Sequence, residues 1–312
     1  FLLKHMQTNC VIIAGKGLFL NQLLVKTKRT RIYSHKFNLY AKTLAALQDI
    51  EDSVVFDAVI DSSRLDLKDV AYFGTSLEGM SQVVAFSGVL SRKVKNLKVS
   101  NVDLRFGKRS IVQGDFTVPD YRDVTNKPFK EIVRYAFVDL TDLTALKLPK
   151  DLGFTHFSLV PEIARMGFVE VKKSTVVGTT DRFTVASKEL ICGLGSIHID
   201  NGIRFQSLQQ GGYSFQRTQN SNFDIYIDSF QLGKMIANPM FDKVNGSFYL
   251  SGVVGQDDGF RIDEITGDFH HVGFNHYNYA QIAVEKASFI NNVIDGTIQI
   301  SDPHLKMTYK GS

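Results

Sequence analysis

One short phrase recurs along this chain and limits what it can fold into. It reads Val244-Asn-Gly-Ser-Phe-Tyr-Leu250, then Ile265-Thr-Gly-Asp-Phe-His-His271, then Ile294-Asp-Gly-Thr-Ile-Gln-Ile300. An earlier copy is Val112-Gln-Gly-Asp-Phe-Thr-Val118, and a looser one is Gly193-Leu-Gly-Ser-Ile-His-Ile199. Apolar residues or glycine fall at every second position, with polar or aromatic residues between. That is the period of a β-strand with one dry and one wet face. Glycine stands on the dry face, where it marks a bend, a bulge or a close approach by another group. A chain that repeats this strand builds a long sheet with one continuous apolar face.

The composition agrees. Of 312 residues, 44% are hydrophobic, with 24 Phe, 11 Tyr and no Trp, and Gly is frequent while Pro is scarce. This suits many short strands joined by tight turns. No Pro/Ser-rich linker or charge block divides the chain, so the expected organisation is one elongated segment over 1–312, with 1–60 the least regular part. The first residue is Phe, which points to a piece of a longer chain or a processed form. No apolar run is long enough to span a bilayer as a helix.

In chain order, Cys10–Ala14 reads as a buried strand, and Gly17–Val25, Ile32–Tyr40 and Val54–Ile60 as further strands. Leu44, Leu47 and Ile50 suggest a short helix. Ser62–Phe73 reads as a cap and a helical turn with Asp66 and Asp69 facing water. The apolar phase changes between Val99 and Val102, which predicts a bulge near Ser100-Asn101. Gly107-Lys-Arg-Ser110 reads as a hairpin turn, and Val133–Leu140 as a strand before one helical turn capped at Thr141-Asp142. Strands then follow to the end, among them Thr155–Val160, with a helical interruption at Leu232–Ile236. Roughly 20 strands at about 4.8 Å each make a sheet about 100 Å wide. Such a sheet must curl, split or flatten, and curling around the dry face makes a groove.

From about Ser62 onward the chain resembles the TamB family, the large periplasmic members of the AsmA-like group, in the form found in Bacteroidota. The resemblance rests on Ser63-Arg-Leu-Asp-Leu-Lys-Asp-Val-Ala-Tyr-Phe73 and on Phe86–Gly107. It continues in Phe223-Asp-Ile-Tyr-Ile-Asp-Ser-Phe-Gln-Leu-Gly233, Phe274-Asn-His-Tyr-Asn-Tyr-Ala-Gln-Ile282 and Ile294–Pro303. It implies a mainly β fold, a long curled sheet forming an open taco-like apolar groove, with a few short helices. It further implies a lipid-transport bridge in the periplasm. That bridge would carry phospholipid between the membranes, docked to an outer-membrane barrel of the TamA/BamA type. It would be anchored in the inner membrane by a segment outside this chain. An assembly factor or chaperone for outer-membrane β-barrel or autotransporter proteins is the alternative implication.

The expected groove lining is the dry-face set: Val112, Phe116, Val118, Ile197, Ile199, Val244, Phe248, Leu250, Ile265, Phe269, Ile294, Ile298 and Ile300. An acyl chain gains about 0.8 kcal/mol for each CH₂ buried against such side chains, and glycine would leave it room. The competing reading is that the same residues pack against a second sheet.

No catalytic, cofactor or metal constellation stands out. His270, His271 and His276 lack a completing ligand, and on a strand the first two point to opposite faces. Asp257-Asp-Gly reads as a turn, and Gly15-Lys-Gly and Gly211-Gly are too sparse for a phosphate loop. Cys10 and Cys192 make no metal or redox spacing. Net charge is +4, with basic runs at Lys26–Arg31 and Arg92–Lys98; the second alternates with apolar residues as a wet strand face would, so no nucleic-acid partner is expected.

Overall fold

The structure is a computed structural model. It describes residues 3–43, 45–71, 79–93, 96–119, 128–147, 159–179, 181–208, 212–217, 225–255, 259–290 and 293–311. The fold is mainly β, built of antiparallel ladders with a few short helices. The chain divides into two compact units, residues 1–158 and 159–312.

The first unit holds β1 (His5–Ile13), β2 (Gly17–Lys26), β3 (Arg31–Tyr40), β4 (Val55–Asp66), β5 (Val83–Arg92), β6 (Asn96–Phe106), β7 (Ser110–Pro119) and β8 (Phe129–Asp139). Each pairs antiparallel with the next. A 3-10 turn at Ala45–Gln48 and α1 (Ile50–Ser53) fill the link from β3 to β4, and α2 (Leu67–Ala71) and α3 (Leu140–Thr144) follow β4 and β8.

The second unit opens with α4 (Pro161–Ala164) and continues with β9 (Phe168–Gly178), β10 (Arg182–Cys192), β11 (Gly195–Ser207), β12 (Tyr213–Arg217) and β13 (Ile225–Gln231). After α5 (Leu232–Ile236) come β14 (Lys243–Gly255), β15 (Gly259–Phe274), β16 (Tyr277–Ile290), β17 (Val293–Ser301) and β18 (Lys306–Gly311). Here β12 and β13 share one place in the ladder. Both lie between β11 and β14, so together they act as one interrupted strand.

A sequence repeat governs the first unit. The turn from β2 to β3 is Thr27-Lys-Arg-Thr30, and β4 runs into Asp66-Leu-Lys-Asp69; the turn from β6 to β7 is Gly107-Lys-Arg-Ser110, and β8 runs into Asp139-Leu-Thr-Asp142. The same contacts form twice. The backbone N–H of Asp66 donates to Thr30 Oγ1 (3.0 Å) and that of Asp139 to Ser110 Oγ (3.0 Å). Arg29 lies 3.3 Å from Asp66, and Arg109 lies 3.8 Å from Asp139.

The second acid then closes each turn. Asp142 accepts directly from the N–H groups of Lys108 (2.8 Å), Arg109 (2.9 Å) and Ser110 (3.1 Å), and from the Ser110 hydroxyl (2.9 Å). In the other copy the Thr27 hydroxyl accepts from the N–H groups of Arg29 and Thr30, and donates to Asp69 (2.6 Å). The two solutions exclude each other sterically. A Cβ at Gly107 would fall on the Asp142 carboxylate, so glycine, at φ +60°, stands where the other copy has Thr27.

The second unit ties its turns in the same places. The Gln231 N–H, at the end of β13, donates to Leu194 O in the turn from β10 to β11 (2.7 Å). Asp302, after β17, accepts from the Tyr277 hydroxyl (2.6 Å) and the Ala280 N–H (2.9 Å) beside the turn from β15 to β16. In all four cases the turn joining two strands is tied to the end of the next place in the ladder or to the residues just after it.

Several expectations are corrected. Asp66 is 1% exposed, not solvated, and Asp69 is bonded to Thr27. β4 runs through Ser62 to Asp66, because the bulge between Ile60 and Ser63 returns Ser63 to the ladder; the helix starts only at Leu67. The cap of α3 is Asp139, whose carboxylate accepts from Thr141 N, since Asp142 is already held by the turn. The Cys10 strand is exposed at Val11, Ile12 and Ile13, because among the described residues its one ladder neighbour is β2. Val160 precedes α4 rather than ending a strand, and 155–158, Asp257-Asp258, Gly211 and Phe223 lie outside the described residues. The bulge near Ser100-Asn101 is present, with Asn101 at φ +53°.

Bulges recur across both units. Gln22, Asn101, Ser229 and Lys286 take left-handed backbone where the strand register shifts. Each extra residue bends its strand and adds twist. Buried serines satisfy groups that the bulges free: Ser34 donates to Lys36 O (2.7 Å), Ser187 to Glu189 O (3.2 Å), and Ser174 to Ser187 Oγ (2.6 Å).

The carboxylate of Asp142 is a test of the turn mechanism. Burial raises its pKa, but the N–H groups of Arg109 and Lys108 and both donors of Ser110 outweigh burial, and the net direction is down. Stability from a carboxylate held low is fully present above its unfolded value, about 3.9, and is lost as pH falls through the folded value. Asp142→Ala should cost about 2–3 kcal/mol at pH 7, since three N–H groups lose their acceptor. In urea denaturation that cost should shrink as pH is lowered below about 4.

Candidate functional site: the dry face

Register, rather than sequence spacing, decides which side chains share a face. In the second unit one cross-strand row runs Ser174, Ser187, Ile199, Ile225, Phe248, Gly267, Val284, Ile298, Tyr309. The next runs Val171, Leu190, Ile197, Ile227, Gly246, Phe269, Ile282, Ile300, Met307. Directly opposed residues point to the same face, so the two rows make one apolar surface across nine strand positions. Val244 and Leu250 join it by alternation along β14, and Ile265 is opposite Leu250.

In the first unit the row is Cys10, Leu20, Phe37, Ala58, Leu90, Val99, Phe116. Val112 shares that face of β7 and opposes Leu104 and Ala136. Val118 pairs with Leu97 and Ile294 with Phe289, while the side chains of Val118 and Ile294 lie outside the described residues. The described members of the dry-face set thus fall into two groups, one per unit.

Exposure across the face is uneven. Val244, Ile199 and Phe248 are buried, at 3%, 8% and 9% exposed. Val112, Phe116, Ile197, Leu250, Ile265, Phe269, Ile298 and Ile300 are half-buried. The rows end in Met307 and Tyr309, exposed at 45% and 39%. The apolar surface therefore opens toward β18.

Glycine does not leave space on this face, as the sequence suggested. Read antiparallel, Gly-x-Phe is complementary to itself. Gly246 stands opposite Phe269, and Phe248 opposite Gly267. The two rings stack at 5.5 Å between centroids. A Cβ at Gly246 would come 2.6 Å from Phe269 Cδ1, and one at Gly252 would come 2.8 Å from Phe215 Cζ. The phrase is a packing device in which each ring covers the bare backbone of its neighbour.

Other candidate chemistry is placed as follows. His270 and His271 are both exposed, and the left-handed backbone of His271 breaks the alternation expected there. His271 and His276 line an open cleft of about 930 Å³ with Lys234, Asp242 and Lys243. Among the described residues no three His, Cys, Asp or Glu side chains are grouped to hold a metal. Both cysteines are free, Cys10 exposed and Cys192 buried. No described helix is long and apolar enough to cross a membrane. Sequence reasoning missed the serines of the dry face. Their signal was weak, because Ser34 and Ser187 stand at bulges where the period breaks and Ser174 is placed only by its pairing with Ser187.

The Gly/Phe reciprocity makes a prediction. Gly267→Ala puts a Cβ 2.6 Å from Ser247 O and 2.9 Å from Phe248 Cα, both backbone atoms that cannot swing away. It should lower stability by about 1–3 kcal/mol, read as a drop in urea midpoint at unchanged slope. Comparison of the chain with protein-family models, curated proteins and solved structures finds no match.

Proposed function

We propose that the chain is part of a lipid-conducting bridge, in which the sheet curls around its dry face and phospholipid acyl chains travel along it. The observation that carries the reading is the pair of cross-strand rows from β9 to β18, apolar or glycine beyond Ser174 and Ser187, buried at Ile199, Ile225 and Phe248 and exposed at Met307 and Tyr309. A mainly apolar track suits a ligand that must slide, because contact with it is non-directional and scales with area. The recurrent bulges supply curvature toward an open taco-like groove. The setting comes from the family resemblance: the periplasm, an outer-membrane barrel of the TamA/BamA type as partner, and an inner-membrane anchor outside this chain. On this reading the protein has no catalytic step.

A second reading has its own observation. β18 is exposed along its whole length, and β1 along nearly all of it. An unpaired strand edge can template an incoming strand, as an assembly factor for outer-membrane proteins would.

The test places a photocrosslinker at Ile298, on the dry face, and at Gln299, on the other. Phospholipid should be captured at Ile298 and not at Gln299. Capture of neither, with Ile298 crosslinking only within the chain, would make the dry face an ordinary core. Ile298→Arg should abolish lipid transfer between vesicles while leaving the far-ultraviolet spectrum intact. Protection of β18 amides by an added strand peptide, with no lipid captured, would favour the second reading.

A further inference from the structure

A second cavity, of about 460 Å³, lies in the first unit among β5, β6, β7 and β8. It is lined by Arg92, Lys98 and Lys130, with Ser100 and Thr117 between them and Ile132 as an apolar wall. The ladder fixes the arrangement: Lys98 stands opposite both Ser91 and Thr117, and Ile132 opposite Asp115.

Among the described residues the charges around it do not balance. Asp115 is the one carboxylate among the described lining residues, and it is already engaged by the Asn101 N–H (2.7 Å) and by Arg134 (2.6 Å). Glu131, next along β8, turns both oxygens to the Thr117 N–H. Arg92 makes a 3.5 Å contact to Asn96 Oδ1, and all three cations are exposed. Three cations held around one concave site make a positive potential that attracts anions. Guanidinium, ammonium and hydroxyl donors together match an oxyanion with several acceptor oxygens.

We propose that this cavity binds a phosphate group, through Arg92, Lys98 and Lys130. The volume exceeds what one phosphate fills, and Ile132, 37% exposed, gives the lining an apolar side chain. A free phosphate and a lipid headgroup share the chemistry that the site reads. The inference does not depend on lipid moving along the dry face, because the three cations, rather than the apolar rows, would hold the ligand.

The test titrates the protein with inorganic phosphate and, separately, with dihexanoyl phosphatidylglycerol below its micelle concentration. Isothermal calorimetry should show binding of both that weakens as salt is raised. The triple variant Arg92→Gln, Lys98→Gln, Lys130→Gln should bind each at least tenfold more weakly. Lys130→Glu, a single exposed change, should weaken both as well, and serves if the triple variant folds poorly. Tighter binding of the lipid than of phosphate would assign the site to a headgroup, and equal binding to the free anion. No binding of either probe, or equal binding by wild type and variants, overturns the proposal. Crosslinking at Ile298 reports on the groove alone, so the two ideas fail separately.

Discussion

A carboxylate that closes a turn is the interaction on which the first unit depends. Long antiparallel meanders have a weak point where the chain reverses, because the turn exposes backbone N–H groups without ladder partners. Asp142 collects three of them, together with a hydroxyl, in one place. It also binds non-neighbouring strands, since the turn after β6 is fastened to the helix after β8. The Thr27 and Asp69 copy reaches the same end with a hydroxyl as intermediary. Backbone satisfaction at the strand ends therefore sets the four-strand rhythm, and hydrophobic burial fills it in.

Within the strands, a different constraint operates. Bulges and strand glycines interrupt the regular pleat, and both leave defects on the dry side. The chain repairs each kind locally. Serine hydroxyls return to carbonyls within two residues of a bulge, as from Ser34 to Lys36 and from Ser187 to Glu189. Phenylalanine rings lie across from bare glycines, as Phe269 does over Gly246. A face built this way stays apolar without being rigidly flat.

Much of this was legible in the residues. Strand period, the bulge at Asn101, the turn at Gly107 and the helical break at Leu232–Ile236 all follow from local pattern. The dry-face set was also legible, because alternation needs no knowledge of partners. What was not legible needed register. Gly-x-Phe looks like a gap beside a ring until two copies are laid antiparallel, and then the ring fills the gap. The acids of Asp66-Leu-Lys-Asp69 looked solvated because nothing local reveals that the Lys26–Arg31 run is a turn folding back onto them. The repeat of Lys-Arg-Ser/Thr with Asp-Leu-x-Asp was present in the sequence all along. It gains meaning only when the turn and the helix are known to touch.

The two thiols give the fold a built-in chemical clock. Cys10 sits on an exposed strand and Cys192 is buried beside the turn of β10 and β11, with its thiol pushed up by burial. An alkylating reagent meets the first at once and the second only when that turn opens, so the lag between two labelling events on one chain times the local opening of the second unit.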